Sequence, residues 1–345
     1  MTLRTDLQNL IRKQQPATAR AFTAAIQDIS DQTVIRRITE ALQRGDIDAA
    51  IRALNIDRAA FQALHANITT TYAQAGATVV NATTWRLPTG AKAVVRWDMA
   101  NPVAERFIST LANNITGDLS QSVINGVRST IGSGFAAGRG PNSIALDIVG
   151  RIGVNGRRVG GSLGLNVPQT NHVASMRARL RSGDPDELRK VLKMTKRDRW
   201  FDGFIKRAIR DGRAVSVADT NKLTGRYSDR LLKLRGDTIA RTETARAVEA
   251  GRMDAFRQGM DKSDIPPQAV YRQWLHGGAA PHGERLDHAA LHRRKIAGLD
   301  APWIVGGASM MHPLDTSMGA GAEHVANCRC MQNIRIDYGY LNRNG

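Results

Sequence analysis

Six of the eight histidines, His276, His282, His288, His292, His312 and His324, fall beyond residue 270, together with the only two cysteines, Cys328 and Cys330. Imidazole and thiolate are the usual ligands of zinc, and Asp315 is placed to complete a set. An extended Cys-x-Cys holds its two Cα atoms roughly 6.6 Å apart with both side chains on one face. Two thiolates on one ion must approach more closely, so a zinc site requires a turn, expected at Arg329. The candidate ligands of a structural zinc are therefore His288, Asp315, Cys328 and Cys330; the other reading makes them buried hydrogen-bonding and small apolar groups. The same histidines, with Glu243, Glu284 or Asp287, have the chemistry for general acid–base attack on a phosphodiester, so a nuclease acting through the His-rich C-terminal region is the alternative function. No His-Glu-x-x-His, Gly-x-Ser-x-Gly or paired-carboxylate pattern is present, and the expectation is a protein that is not an enzyme.

Charge points to an anionic partner. Across 345 residues, 49 Lys+Arg face 31 Asp+Glu, a formal +18, which favours nucleic acid or an acidic protein. Most of the excess is local: residues 156–262 hold 25 Lys+Arg against 13 Asp+Glu. Within them Lys190, Lys193, Lys196, Arg197, Arg199, Lys206, Arg207 and Arg210 are closely spaced and are the candidate phosphate contacts for non-specific binding of double-stranded DNA. Trp200, Phe201, Phe204, Ile205 and Ile209 are the expected core side of that segment. No helix-turn-helix, zinc-finger or basic-zipper pattern accompanies the charge. Aromatic residues are only 5% of the chain, which argues against a stacking platform for single strands. A window of about 18 apolar residues is missing and Met-Thr-Leu-Arg-Thr-Asp has no apolar signal core, so no membrane partner is expected and synthesis in the cytosol is, which the resemblance given below makes that of a host bacterium.

Four consecutive regions are expected to position these residues, in an α+β fold with a mostly helical N-terminal part and middle and a small C-terminal α+β domain. Residues 1–80 read as short helices: Leu3, Leu7, Leu10 and Ile11 form one stripe, Asp46 after Gly45 caps another helix, and Phe61, Leu64, His65, Ile68 and Tyr72 form a third. His65 is expected as a core or interface histidine. This near-neutral region reads as a docking module. Residues 81–155 begin with an extended linker or hairpin. Helices then start at Asn101-Pro102 (buried face Phe107, Ile108, Leu111, Ile115), run from Leu119 to a stop at Gly132, and run from Pro141 through Ile152. Residues 156–236 follow a glycine-rich stretch, Gly150 to Gly164, read as a hinge because no phosphate-loop pattern is present. There, Asp184-Pro185-Asp186-Glu187 is a helix-start signature. Residues 237–345 open with a helix from Asp237 to about Gln258, closed by Gly259. Strands at Val270–Leu275, Trp303–Val305 and the alternating run from Cys330 to Tyr338 follow.

In the last region the order Ile239-Ala240-Arg241-Thr242-Glu243, Glu284-Arg285-Leu286-Asp287-His288 with Leu291, Gly306-Gly307, Pro313 with Asp315, and Asn327-Cys328-Arg329-Cys330 before a final strand resembles the C-terminal domain of tailed-phage head morphogenesis proteins. This is the minor head protein family typified by the F protein of phage Mu. The resemblance covers about residues 237–338; the Arg-Val-Gly-Gly-Ser-Leu-Gly-Leu run at Arg158 is similar to members from prophages. The chain departs from the pattern after His288, where members often carry a glycine and Arg293-Arg294 stand here. The resemblance implies a low-copy virion protein of the head near the portal vertex, acting in head morphogenesis, with the portal protein, the major capsid protein and packaged DNA as partners. Some members carry a toxin domain beyond this block; none is expected here.

Overall fold

The computed structural model describes residues 2–56, 59–278 and 285–344, without the side chains of Ala112, Ile115, Thr116 and Asn344. Apolar residues at spacings of three and four build α1 (Leu3–Gln32), α2 (Ile35–Gln43), α3 (Ile47–Arg52) and α4 (Gln62–Ala82). Next, α5 (Pro102–Asn113) passes through a π-helical turn into α6 (Leu119–Ala136), and α7 (Pro141–Val149) precedes β1 (Arg151–Ile152) and β2 (Arg158–Val159). Then come α8 (Val167–Ser182), α9 (Pro185–Lys193), α10 (Asp202–Arg210) and α11 (Val217–Lys262). The C-terminal region adds β3 (Val270–Leu275), α12 (Leu286–Ala290), β4 (Lys295–Ala297), β5 (Trp303–Val305), β6 (Ala308–Met310), α13 (Ala322–Val325), β7 (Met331–Ile336) and α14 (Tyr338–Asn344). The fold is α+β and mostly helical.

Two compact units form, each discontinuous in sequence: a terminal unit of Met1–Arg20, Leu64–Leu111 and Asp237–Gly345, and an inner unit of Ala21–Ala63 and Ala112–Gly236. The expected succession 1–80, 81–155, 156–236 and 237–345 is thus replaced by interleaved segments. Unit boundaries fall inside α1 and α11; the one in α11, between Gly236 and Asp237, coincides with the expected boundary, whereas the one in α1 divides a helix that a linear reading gives to a single region. Residues 1–80 are accordingly no separable module: Leu7 and Tyr72 are buried in the terminal unit, Phe22 and Ile38 in the inner one.

In the inner unit, α8 to α11 enclose a core that includes Leu165, Met176, Leu180, Leu188, Val191, Ile205 and Leu223. Helix starts follow their caps: Asn166 and Gln169 form a reciprocal capping box on α8, and Asp184 caps α9. Three expectations are corrected here. The glycine-rich stretch is a packed antiparallel hairpin and turn, not a hinge. Gly160 adopts φ +77°, and a Cβ on it would stand 2.7 Å from Gly225 Cα. α6 runs past Gly132 to Ala136, because Gly132 meets no obstacle and the left-handed residue that ends the helix is Gly138, φ +65°. Ile152 leaves the helix for β1 and is 64% exposed.

The terminal unit carries an antiparallel sheet ordered β4-β3-β7 and a hairpin of β5 and β6. Gly306 and Gly307, φ +56° and +87°, make the hairpin's two-residue turn, which needs left-handed backbone twice. One core joins Leu7, Val79, Trp85, Val248, Phe256 and Ile334; a second joins Trp274, Trp303, Val305, Met310 and Leu314 around the two cysteines. α1 spans 30 residues through Pro16, and α11 spans 46, passing both Asp237 and Gly259. Gly259 continues the helix because its missing side chain seats the Trp85 indole, whose ring carbons lie 2.1–2.4 Å from where a Cβ would be. Arg293, first of the two arginines after His292, adopts φ +65°, and its N–H donates to the Trp274 carbonyl at 2.8 Å. The turn forms with arginine in a conformation that glycine adopts more readily.

Candidate metal centre

A buried turn after α13 leads into the two cysteines. Asn327 makes it with φ +57°, ahead of both cysteines rather than between them at Arg329 as expected, and it is fixed from both sides. Its N–H donates to Thr242 Oγ1 at 3.1 Å, and its Oδ1 accepts from Arg241 Nη1 at 3.0 Å. Arg285, just ahead of α12, donates to the His324 and Ala326 carbonyls at 3.4 and 2.7 Å. Gly277 after β3 lets the Arg329 carbonyl lie where a Cβ would be 2.0 Å away. His288 on α12 then lies 3.5 Å from Cys328 Sγ and 3.6 Å from Cys330 Sγ through its Nδ1. The three donor atoms lie within 4.8 Å of one another, and the residues are only 1%, 2% and 4% exposed.

Proton sharing within the pair is asymmetric. The Cys330 thiol, and then His288, pull the Cys328 thiol down to about 5 against the opposing effect of burial, while Cys330 is pushed up by Cys328 and by burial. The Cys330 N–H also donates to Cys328 Sγ at 3.4 Å. Cys328 is therefore the more acidic thiol of the pair. Two sulfurs and a nitrogen form a soft donor set. His288 Nε2 is buried without a hydrogen-bond partner among the described residues.

A second donor group shares His288. Asp287, His288 and His324 also have donor atoms within 4.8 Å of one another. Asp287 Oδ2 lies 3.3 Å from His324 Nδ1, and the two imidazoles stack with centroids 6.0 Å apart. Gly306 makes room for this pair: a Cβ there would fall 2.5 Å from Asp287 Oδ2 and 2.9 Å from His324 Cε1. The arrangement can hold a metal ion through His288, Cys328 and Cys330, with His324 and Asp287 beside it.

The remaining candidate residues are dispersed. Asp315 is not in the donor group, which corrects its place in the ligand set. Its carboxylate accepts from the N–H groups of Met311 and Ser317 and from the Ser317 hydroxyl at 2.8–2.9 Å, so it ties a turn. His312 bonds the Pro313 carbonyl through Nδ1 at 2.8 Å, and the His276 N–H donates to His292 Nδ1 at 3.1 Å. His282 and Glu284 lie outside the described residues. Glu243 pairs with Arg246 at 2.8 Å. Sequence reasoning missed the joining of Asp287 and His324, which only folding brings together. It also missed a fully buried ion pair, Glu249 and Arg252, at 3.2 Å.

The basic segment is rearranged as well. Arg197 grips Asp202 through Nε and Nη2 at 2.9 and 2.8 Å, with its side chain 13% exposed; it is a structural residue, which corrects its assignment as a phosphate contact. Lys190 pairs with Glu187, and Arg210 with Asp211 at 3.0 Å. Lys193, Lys196, Arg199, Lys206 and Arg207 are exposed. Trp200 and Phe204, expected in the core, are 85% and 41% exposed, because Phe201, Ile205 and Ala208 fill the buried face. His65 is half-buried, with Nε2 3.4 Å from the Ile108 carbonyl.

The chain matches no family model, no curated protein and no solved structure. Among the described residues, no helix is long and apolar enough to cross a membrane.

Proposed function

We propose that the protein is a minor head protein of a tailed phage or prophage, acting in head morphogenesis at the portal vertex, with a structural zinc in its C-terminal region. The supporting observation is the convergence of separate motif segments on one buried turn. Arg241 and Thr242 hold Asn327, Arg285 holds the chain ahead of it, and His288 meets Cys328 and Cys330. Residues 85 positions apart along the chain become hydrogen-bonded neighbours there. Two cysteines and a histidine supply three of the four ligands of a structural zinc, with His324 and Asp287 beside them for the fourth, and their nearly complete burial argues against a reaction centre for a polymer substrate. Zinc would be held by His288, Cys328 and Cys330, and would lock α12 to the turn.

The partners on this reading are the portal protein, the major capsid protein and packaged double-stranded DNA. DNA would be met without sequence preference through the exposed Lys193, Lys196, Arg199, Lys206 and Arg207. Quantitative mass spectrometry of purified particles tests the assignment: a few copies per particle, in simple proportion to the portal, is the expected result. Absence from heads and from assembly intermediates would refute it. Cleavage of DNA that disappears in His288→Ala would replace it with the nuclease reading.

A further inference from the structure

Within the inner unit, α6, α7, α8 and the start of α11 line a cavity of about 710 Å3. Its charge is unbalanced. Asp147 on α7 is held by three guanidinium groups: Arg139 at 2.8 Å, Arg177 at 2.9 Å and Arg151 at 3.3 Å. The four side chains are 14–32% exposed. One guanidinium suffices to pair a carboxylate, so three leave two positive charges uncompensated at a site largely withdrawn from water, which is unfavourable unless an anion completes it.

The cavity walls point the same way. Arg181 lines the cavity with no carboxylate partner among the described residues; it donates to the Val215 carbonyl. Arg139 Nε is buried with nothing to donate to among the described residues. Arg177, whose other bonds go to Asn221 and Thr224, is drawn down to about 10 by burial and by its neighbours Arg139 and Arg151, despite Asp147. The rest of the lining is built of small side chains, hydroxyls such as Thr130, Ser133 and Ser143 together with apolar Ala137, Val173, Ala174 and Val217. Clustered guanidinium groups among small side chains fit a compact organic molecule carrying a doubly negative group.

We propose that this cavity binds a phosphate monoester, dianionic at neutral pH, seated by Arg139, Arg177 and Arg181 with its organic body against Ala137, Val173, Ala174 and Val217. Asp147 fixes the guanidinium groups when the site is empty and is outnumbered when it is filled. The monoester comes either from a free nucleotide or from the 5′ end of a nucleic acid strand, and the two sources share this chemistry.

The test is calorimetric titration of the full-length protein at constant ionic strength. The probes are inorganic phosphate, a nucleoside 5′-monophosphate, and one oligonucleotide with a 5′-phosphate or a 5′-hydroxyl. Saturable binding of the monophosphate, tighter than inorganic phosphate, is expected. Arg177→Gln and Arg139→Gln should each weaken it by about tenfold or more, the loss of a charge-assisted bond. Asp147→Asn removes the competing carboxylate while keeping its shape, and should tighten binding by a similar factor. This variant decides the matter even where the arginine variants fail to fold. Preference for the 5′-phosphorylated oligonucleotide over its hydroxyl twin would assign the strand end; binding of the mononucleotide alone would assign the free metabolite. Absence of saturable monophosphate binding in both wild type and Asp147→Asn overturns the proposal, as does binding that both arginine substitutions leave unchanged or that Asp147→Asn weakens.

Discussion

Loss of the proposed zinc is the perturbation whose size can be worked from the site. Its donors are buried among Trp274, Trp303 and Val305 in one core of the terminal unit, so that unit should melt earlier without metal. Free zinc at 100 to 1,000 times its dissociation constant stabilises a folded state by about 2.7–4.1 kcal/mol. A domain of 150–250 residues shifts by about 2–4 °C per kcal/mol. Chelation should therefore lower the melting midpoint by about 5–16 °C, and stoichiometric zinc should restore it. The thiol pair adds a sharper expectation. Cys328, held down to about 5, is a thiolate at pH 7, whereas Cys330, pushed up, keeps its proton. Zinc binding should then release about one proton from the pair. Calorimetric titration with zinc in two buffers of different ionisation heat measures that number, and elemental analysis gives the stoichiometry. Cys328→Ser, Cys330→Ser and His288→Ala should each lose bound zinc, while Asp315→Ala should retain it. A protein that takes up no zinc, or a chelated protein that melts unchanged, would refute the assignment.

Other substitutions test the frame around the site. Glu249→Leu strands the Arg252 guanidinium, which is 2% exposed, and should cost about 3–5 kcal/mol in urea unfolding; Glu249→Leu with Arg252→Met should recover most of that loss. Equal stability of the single variant and wild type would overturn this account. Asn327→Ala removes both the acceptor of Arg241 and a side chain tolerant of left-handed backbone, and should cost about 2–4 kcal/mol; Asn327→Gly, which keeps the backbone conformation, should cost less. For Asp315, burial acts to raise its carboxyl, but His312, the Met311 and Ser317 N–H groups and the Ser317 hydroxyl outweigh it and hold the carboxyl below the ordinary 3.8. Its stabilising contribution is complete above the unfolded value and is lost as pH falls through the folded one. Asp315→Asn should accordingly flatten the decline in melting temperature below about pH 4, and an acid limb identical to wild type would contradict the sign.

Local signals were legible where one residue type has one physical use. Asp184 and Pro185 start α9, Asn101 and Pro102 start α5, the run Val270–Leu275 is β3, and the alternation expected from Cys330 to Tyr338 marks β7, which ends at Ile336 before Tyr338 opens α14. The ligand trio was legible in part, since His288, Cys328 and Cys330 stand among the candidates and Asp315 does not belong. The turn expected between the cysteines at Arg329 is found ahead of both, at Asn327, a residue type that tolerates left-handed backbone. Helix ends at Gly132, Gly259 and Asp237 were misread for a different reason. A glycine that closes a helix and a glycine that admits a neighbouring indole look the same in sequence; only the packed Trp85 distinguishes Gly259. Arg197 and Trp200 were exchanged in role because a short 3-10 turn at Arg199–Phe201 interrupts the helical register that put the tryptophan inside.

The polar face of α11 explains why hydrophobic patterning failed there and what that face does. Thr238, Arg241, Thr242, Ala245, Arg246, Glu249 and Arg252 recur every three or four residues and so share one side of the helix. That side is turned toward the C-terminal segment. Asn327 Nδ2 reaches Thr238 Oγ1 at 3.5 Å, Arg246 donates to the Leu314 carbonyl at 2.9 Å, and the Gln332 N–H donates to Glu249 Oε2 at 3.2 Å. Each contact gives a hydrogen-bond partner to a turn or strand of that segment. Buried backbone groups need such partners, and leucine or valine at these helix positions would bury the same area and leave them unpaired. The cysteine turn is short and irregular, so a polar helix face is the economical way to hold it. On this argument the motif from Arg241 to Glu243 positions the donors rather than contributing one, and substitutions in it should loosen zinc without changing the ligand set.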